Sequence, residues 1–211
     1  MKIIEKFDRQ FEYAGILMNV LIAYQFFILW LHPQVNDVDK IATLAALILF
    51  EFVMVHSGVF MAVIPKKLSL LILVPFYGVF ALAFNTLVDD NLILIAYLLV
   101  ILNRMRFAFS DVPKAVRKRT IMKSVFSALI YFLLLFACTG GSSVIPKLGL
   151  DNDFIQLSGL GTTNNTNAVF IEMPHAAMAF GVIYYCLIAL MEALFLNRNF
   201  TGENIVTIGE V

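Results

Sequence analysis

The amino-acid sequence predicts an all-α membrane protein, a polytopic bundle of six transmembrane helices with both termini in the cytoplasm. Three observations carry that prediction. The chain is 61% apolar and 14% charged, where a soluble domain has about 45–50% and about 25%. Its apolar residues fall into blocks, most of them roughly 15–24 residues long, about what a helix needs to cross a ~30 Å hydrocarbon core. Its lysines and arginines gather in alternate connections, as the positive-inside rule requires. With 211 residues, the whole chain is one integral membrane domain with no soluble domain beside it. The formal net charge is zero, so no basic excess points to nucleic acid.

The first span covers residues 13–31 and ends in FFILWLHP. Three acids, Glu5, Asp8 and Glu12, precede it, and no small-residue cleavage site follows. It is therefore expected to be a retained helix, not a removed signal peptide. The second span, 41–64, is closed by Pro65-Lys66-Lys67. The third, 68–88, holds Pro75 and Gly78. The fourth, 92–103, is short and ends at Arg104 and Arg106, whose side chains can snorkel to the interface. The fifth, 124–139, is closed by Gly140-Gly141, and the sixth, 175–196, is opened by Pro174.

Six crossings put thirteen of the fifteen lysines and arginines on the side of the termini and only Lys40 and Lys147 on the other. That asymmetry assigns the termini to the cytoplasm, most naturally of a bacterial inner membrane. It also makes the short fourth block a span. Without that crossing the basic run after it would lie outside. Two segments are not expected to cross. Residues 104–123 form a basic cytoplasmic loop in which Lys114, Arg117, Lys118, Arg119 and Lys123 face anionic lipid, or serve only to fix topology. An interfacial helix with Pro113 in its first turn fits there. Residues 140–174 form a long, ordered outer loop, rich in Gly, Ser, Asn and Thr with apolar points such as Ile155, Leu157, Val169 and Phe170.

The chemistry concentrates in EFVMVHSGVF, residues 51–60. An acid at mid-bilayer costs about 2.5–3.5 kcal/mol, so Glu51 must face the protein interior. It is either a proton or cation site or a packing residue held by hydrogen bonds. His56 is five residues on, ~140° around a helix at ~100° per residue. The two therefore point to different faces and do not form one metal site. By depth, Glu51 is expected to pair with Asn19 or with Tyr184 or Tyr185, and His56 with Glu192, unless Glu192 is instead solvated at the interface beside Asn197 and Arg198. Two polar faces on one helix make the second span the centre of the bundle.

Other patterns read as structure. Glu172 and His175 cap or rim the sixth helix; with no third His and no Cys beside them they do not suggest a metal. Asp151-Asn152-Asp153 lacks the Gly and distal Glu of a calcium loop. Cys138 and Cys186 lie roughly 12–15 Å apart in depth, beyond disulfide reach. Ala177 and Gly181 form a small-xxx-small pair that can seat a neighbouring helix, within the bundle or in a second chain. No P-loop, nucleophile elbow, CxxC pair or kinase motif is present, so no cofactor, metal or catalytic residue is assigned. These features suggest a non-enzymatic accessory or assembly subunit of a larger membrane complex. It would meet lipid along its sides and a protein partner through the outer loop. The alternative is a small transporter or channel that couples protons or cations through Glu51.

Overall fold

The computed structural model describes residues 8–55, 57, 60, 68–86, 91, 93–95, 97–98, 114–160 and 173–196. Among them every regular element is helical. The order is α1 (Asp8–Leu31), a 3-10 turn (Val35–Asp37), α2 (Val38–Val55), a π-helical turn (Ser69–Leu73) running into α3 (Val74–Asn85), α4 (Lys114–Gly140), α5 (Asn152–Ser158) and α6 (Pro174–Leu196). Three segments are long and apolar enough to cross a membrane: Glu12–Leu31 in α1, Ile121–Gly140 in α4, and α6. Helix α2 is as apolar at its centre but also carries Asp39, Lys40 and Glu51. Leu71–Asn85 is a shorter apolar helix.

Local chemistry sets several boundaries. Gln34 and Asp37 close a reciprocal capping box on the 3-10 turn, and Asp37 also takes a 2.7 Å bond from Lys40. Pro75 lies just after the π-helical turn; it has no N–H to give the carbonyls of that turn, and a local departure from the α-helical pattern fits its ring there. The basic segment 114–123 is helical, as an interfacial helix there would be, but it is continuous with the span and not a separate element. Lys and Arg are good helix formers, so the backbone carries α4 well beyond its apolar stretch. Of the expected fourth span, residues 93–95 and 97–98 are helical. Its remaining residues, like 104–113, lie outside the described residues.

Helix α6 packs along α1 and also against α4 and α2. The ring of Phe26 lies across Gly181, where a Cβ would overlap it, and stacks on Tyr185 with centroids 5.8 Å apart. The Ala177/Gly181 pair therefore seats a helix of the same chain. Tyr131 of α4 reaches the centre, 5.0 Å from the Phe180 ring and 5.5 Å from Tyr184, and its hydroxyl donates to the Ile48 carbonyl of α2 at 3.0 Å. Helix α2 is buried on all sides over Thr43–Ile48, and α6 over Pro174–Gly181. The centre therefore belongs to both helices, not to the second alone. Outward, the π-helical turn, α3 and α4 expose residues such as Leu71, Val79, Leu133 and Phe136, an apolar surface that suits lipid and not water.

Residues 141–160 fold back over one end of the bundle. Trp30 Nε1 donates to the Pro146 carbonyl at 3.0 Å, and the Gly149 amide returns a bond to the Trp30 carbonyl at 3.1 Å. Gly149 sits against the Pro33 ring and the Leu31 carbonyl, leaving no room for a side chain. Leu150, Phe154 and Leu160 are buried beneath this cap. Asp151 closes α5 by accepting the Phe154 amide at 2.8 Å, and Gly159 ends it at φ 67°, the left-handed conformation that favours glycine.

Candidate polar sites inside the bundle

Glu51 lies on α2, partly buried. Tyr184 of α6 donates its hydroxyl to Glu51 Oε1 at 3.2 Å, so of the expected partners Tyr184 is the one bonded to it. The surrounding wall is aromatic. Tyr184 and Tyr185 meet edge to face at 5.2 Å, Tyr131 lies on the far side of Tyr184, and Phe52 of α2 touches Tyr131 at 5.8 Å. A phenol can donate to a carboxylate or share its hydrogen bond with a carboxylic acid. The pairing is compatible with either state of Glu51.

Asn19, another partner expected for Glu51, is bonded elsewhere. It is buried on α1, but its amide donates to Glu192 Oε2 at 3.1 Å and not to Glu51. Gly15, one turn earlier on α1, lies beside this pair. A Cβ there would stand 3.4 Å from Glu192 Oε2. Glu192 is thus partly buried and bonded between helices. His56 lies outside the described residues, so its expected pairing with Glu192 is without a structural counterpart.

A third site was not foreseen. Glu12 is 8% exposed near the start of α1 and forms an ion pair with Lys123 of α4 at 3.5 Å. The expected role of Lys123 as a lipid-facing loop residue is therefore corrected. Its side chain turns inward because a buried carboxylate waits there, and an unpaired charge at that position would be costly. The signal was in the sequence: Glu12, Gly15, Asn19, Ala23 and Phe26 recur at spacings of three and four, one face of a helix. Among the other basic residues of this segment, Lys118 is exposed. The side chains of Lys114, Arg117 and Arg119 lie outside the described residues.

The rim residues resolve as structural contacts. His175 is buried, with Nε2 3.1 Å from the Ser142 carbonyl; Glu172 lies outside the described residues. Among the described residues no group of three or more His, Cys, Asp or Glu gathers as a metal site, and Cys138 and Cys186 are free thiols. Outside the spans, the Lys40 hydrogen bond holds the Asp37 carboxyl below its ordinary pKa.

The fold and these sites define a class: an all-helical protein with helices compatible with membrane insertion and polar side chains paired between helices. No protein-family model, curated protein or solved structure matches the chain.

Proposed function

We propose that the chain is a non-enzymatic accessory or assembly subunit of a larger complex in the bacterial inner membrane. In this reading it crosses six times, keeps both termini in the cytoplasm, and meets its partner through the segment 140–174. One observation carries the reading. The cap over residues 141–160 is tied to α1 through Trp30, Pro33 and Gly149, yet Val144 and Leu157 are 84% and 77% exposed on it. An apolar point held outward on an anchored scaffold suits docking, where a plain connection would be polar and short. Gentle extraction and native mass measurement test this. The expected particle is heavier than any assembly of this chain alone, and Val144→Ser,Leu157→Ser strips the additional chains while α-helical content stays. A particle containing only this chain refutes the assignment.

A second reading is favoured by one specific contact. A carboxyl within the helices, bonded to a tyrosine hydroxyl, is chemistry suited to proton or cation coupling. In that case purified protein in liposomes shows flux that Glu51→Gln abolishes. In the subunit reading Glu51→Gln is tolerated, because the amide still accepts the Tyr184 bond.

A further inference from the structure

Buried polar groups in α1 are paired, but one polar group on its outer side is not placed against a partner in the same way. Helix α1 turns Glu12, Asn19, Ala23, Phe26 and Leu29 inward. Its opposite side is exposed and almost wholly apolar. Within that exposed side stands Gln25. It carries the one exposed carboxamide among the described residues of the three candidate spans. It is five residues from Trp30, or ~7–8 Å along the helix axis. Trp30 is held at the helix end by the cap, and indole rings settle at the membrane interface. Gln25 therefore lies on the hydrocarbon side of that interface, where a carboxamide without a hydrogen-bond partner is costly.

The neighbours of Gln25 say what covers it. Ala14, Met18, Leu21, Gln25 and Ile28 follow one another at steps of four, three, four and three, the heptad spacing of a two-helix seam. Met18 is half-buried, and Ala14, Leu21, Gln25 and Ile28 are exposed. With Leu21 and Ile28 one step either side, Gln25 falls at a position that faces its own equivalent in a parallel pair. A single polar residue there fixes register and chain number in coiled coils. Leucine against leucine gives little drive in lipid, and interhelical hydrogen bonds and close packing supply it instead.

We infer that this side of α1 is the interface between two copies of the chain, paired in parallel about a two-fold axis along the membrane normal and joined by their Gln25 carboxamides. Copies inserted with the same topology bring Gln25 to the same depth. A carboxamide is donor and acceptor at once, so it is complementary to itself under a two-fold axis. A foreign helix would need its own polar group at that level. This inference goes beyond the proposed role of the cap and uses a different surface.

The test uses the full-length chain in proteoliposomes. Energy transfer between labelled copies, followed as lipid dilutes the protein, should report a dimer. Gln25→Leu should weaken self-association by about threefold to twentyfold, and Gln25→Asn should restore part of it. In a Cys138→Ala,Cys186→Ala background, Leu21→Cys and Ile28→Cys should cross-link between copies. Val20→Cys and Phe27→Cys, which are exposed but off the seam, should not. Because Gln25 is exposed on the single chain, its variants should keep the parent's helical content. Val144→Ser,Leu157→Ser should leave self-association unchanged, which separates this surface from the cap. A wild-type chain that stays monomeric overturns the inference. So does undiminished association of Gln25→Leu, or equal cross-linking at all four positions.

Discussion

A methyl group added at Gly181 would lie within the ring of Phe26, against Cδ1, Cγ and Cε1. Those atoms are not the free end of a flexible chain. Phe26 is fully buried, stacked on Tyr185 and packed in the α1–α6 seam. Gly181→Ala must therefore push the two helices apart or force the ring from its rotamer. Overpacking of this kind costs about 1–3 kcal/mol. The solvent does not soften this cost, because the clash is steric and does not depend on transfer from water. At about 1.4 kcal/mol per tenfold, the folded-to-unfolded ratio falls roughly 5- to 150-fold. Denaturation in mixed detergent micelles, followed by the loss of helical signal, measures this. The decisive comparison is a double-mutant cycle. Phe26→Ala alone leaves a cavity and destabilises. In its presence Gly181→Ala should cost little, because the obstructing ring is gone. A Gly181→Ala variant as stable as the parent, or a cost unchanged by Phe26→Ala, would refute the seam as described.

Tyr184→Phe removes the hydroxyl from Glu51 and should destabilise by about 0.6 kcal/mol, with about 1.7 kcal/mol as the upper range for such bonds in membranes; the same denaturation assay reads it. Glu12→Leu leaves Lys123 without its carboxylate, yet should cost less than the about 3–5 kcal/mol of a broken, fully buried pair. Lys123 keeps some exposure and can turn toward the interface. Glu12→Leu,Lys123→Leu should be more stable than Glu12→Leu alone, and the reverse order would count against the pair. The lowered Asp37 pKa comes chiefly from the Lys40 bond. Its stabilisation is fully present above the ordinary aspartate pKa and is lost as pH falls through the lowered one. Lys40→Ala should raise the Asp37 midpoint, as followed by carboxyl carbon NMR. Asp151→Ala removes the α5 cap and should cost about 1 kcal/mol locally, visible as faster amide exchange at Phe154 with the spans unaffected.

Helical content and membrane-compatible helices were legible in the sequence because hydropathy over twenty residues is a property of the chain itself. Helix ends were not equally legible. Helix α4 begins at Lys114 and not at Ser124, because a hydropathy boundary marks where lipid ends and not where backbone hydrogen bonding stops. The pairing of Glu51 with Tyr184 followed from counting residues from each helix end. The same count could not choose between Tyr184 and Asn19, because depth alone ignores which face a residue occupies. Asn19 and Glu12 share one face of α1, turned toward α6 and α4, and each bonds what that face meets. The cap was legible only as a loop too long to be a plain connection. Its anchoring depends on Trp30 meeting Pro146 across more than a hundred residues, which no local pattern records.

Three bonds that join one side chain to another between helices are distributed in a way that bears on how the bundle is built. Glu51 is joined to α6, Glu192 to α1, and Glu12 to α4. Each bond links a different pair of helices, and α1 and α6 each take part in two. In lipid, apolar side chains do not distinguish one helical neighbour from another, since lipid tails match them equally well. Polar pairs do, because a wrong neighbour leaves a carboxyl or amide unsatisfied. Their placement therefore specifies which helices adjoin and in what register, while Gly181 sets how closely α1 and α6 approach. The same logic reaches outward to Gln25. Where an inward polar residue selects a helix of the same chain, an outward one at hydrocarbon depth selects a helix of another. The physical rule that orders the interior is the one from which the second copy is inferred.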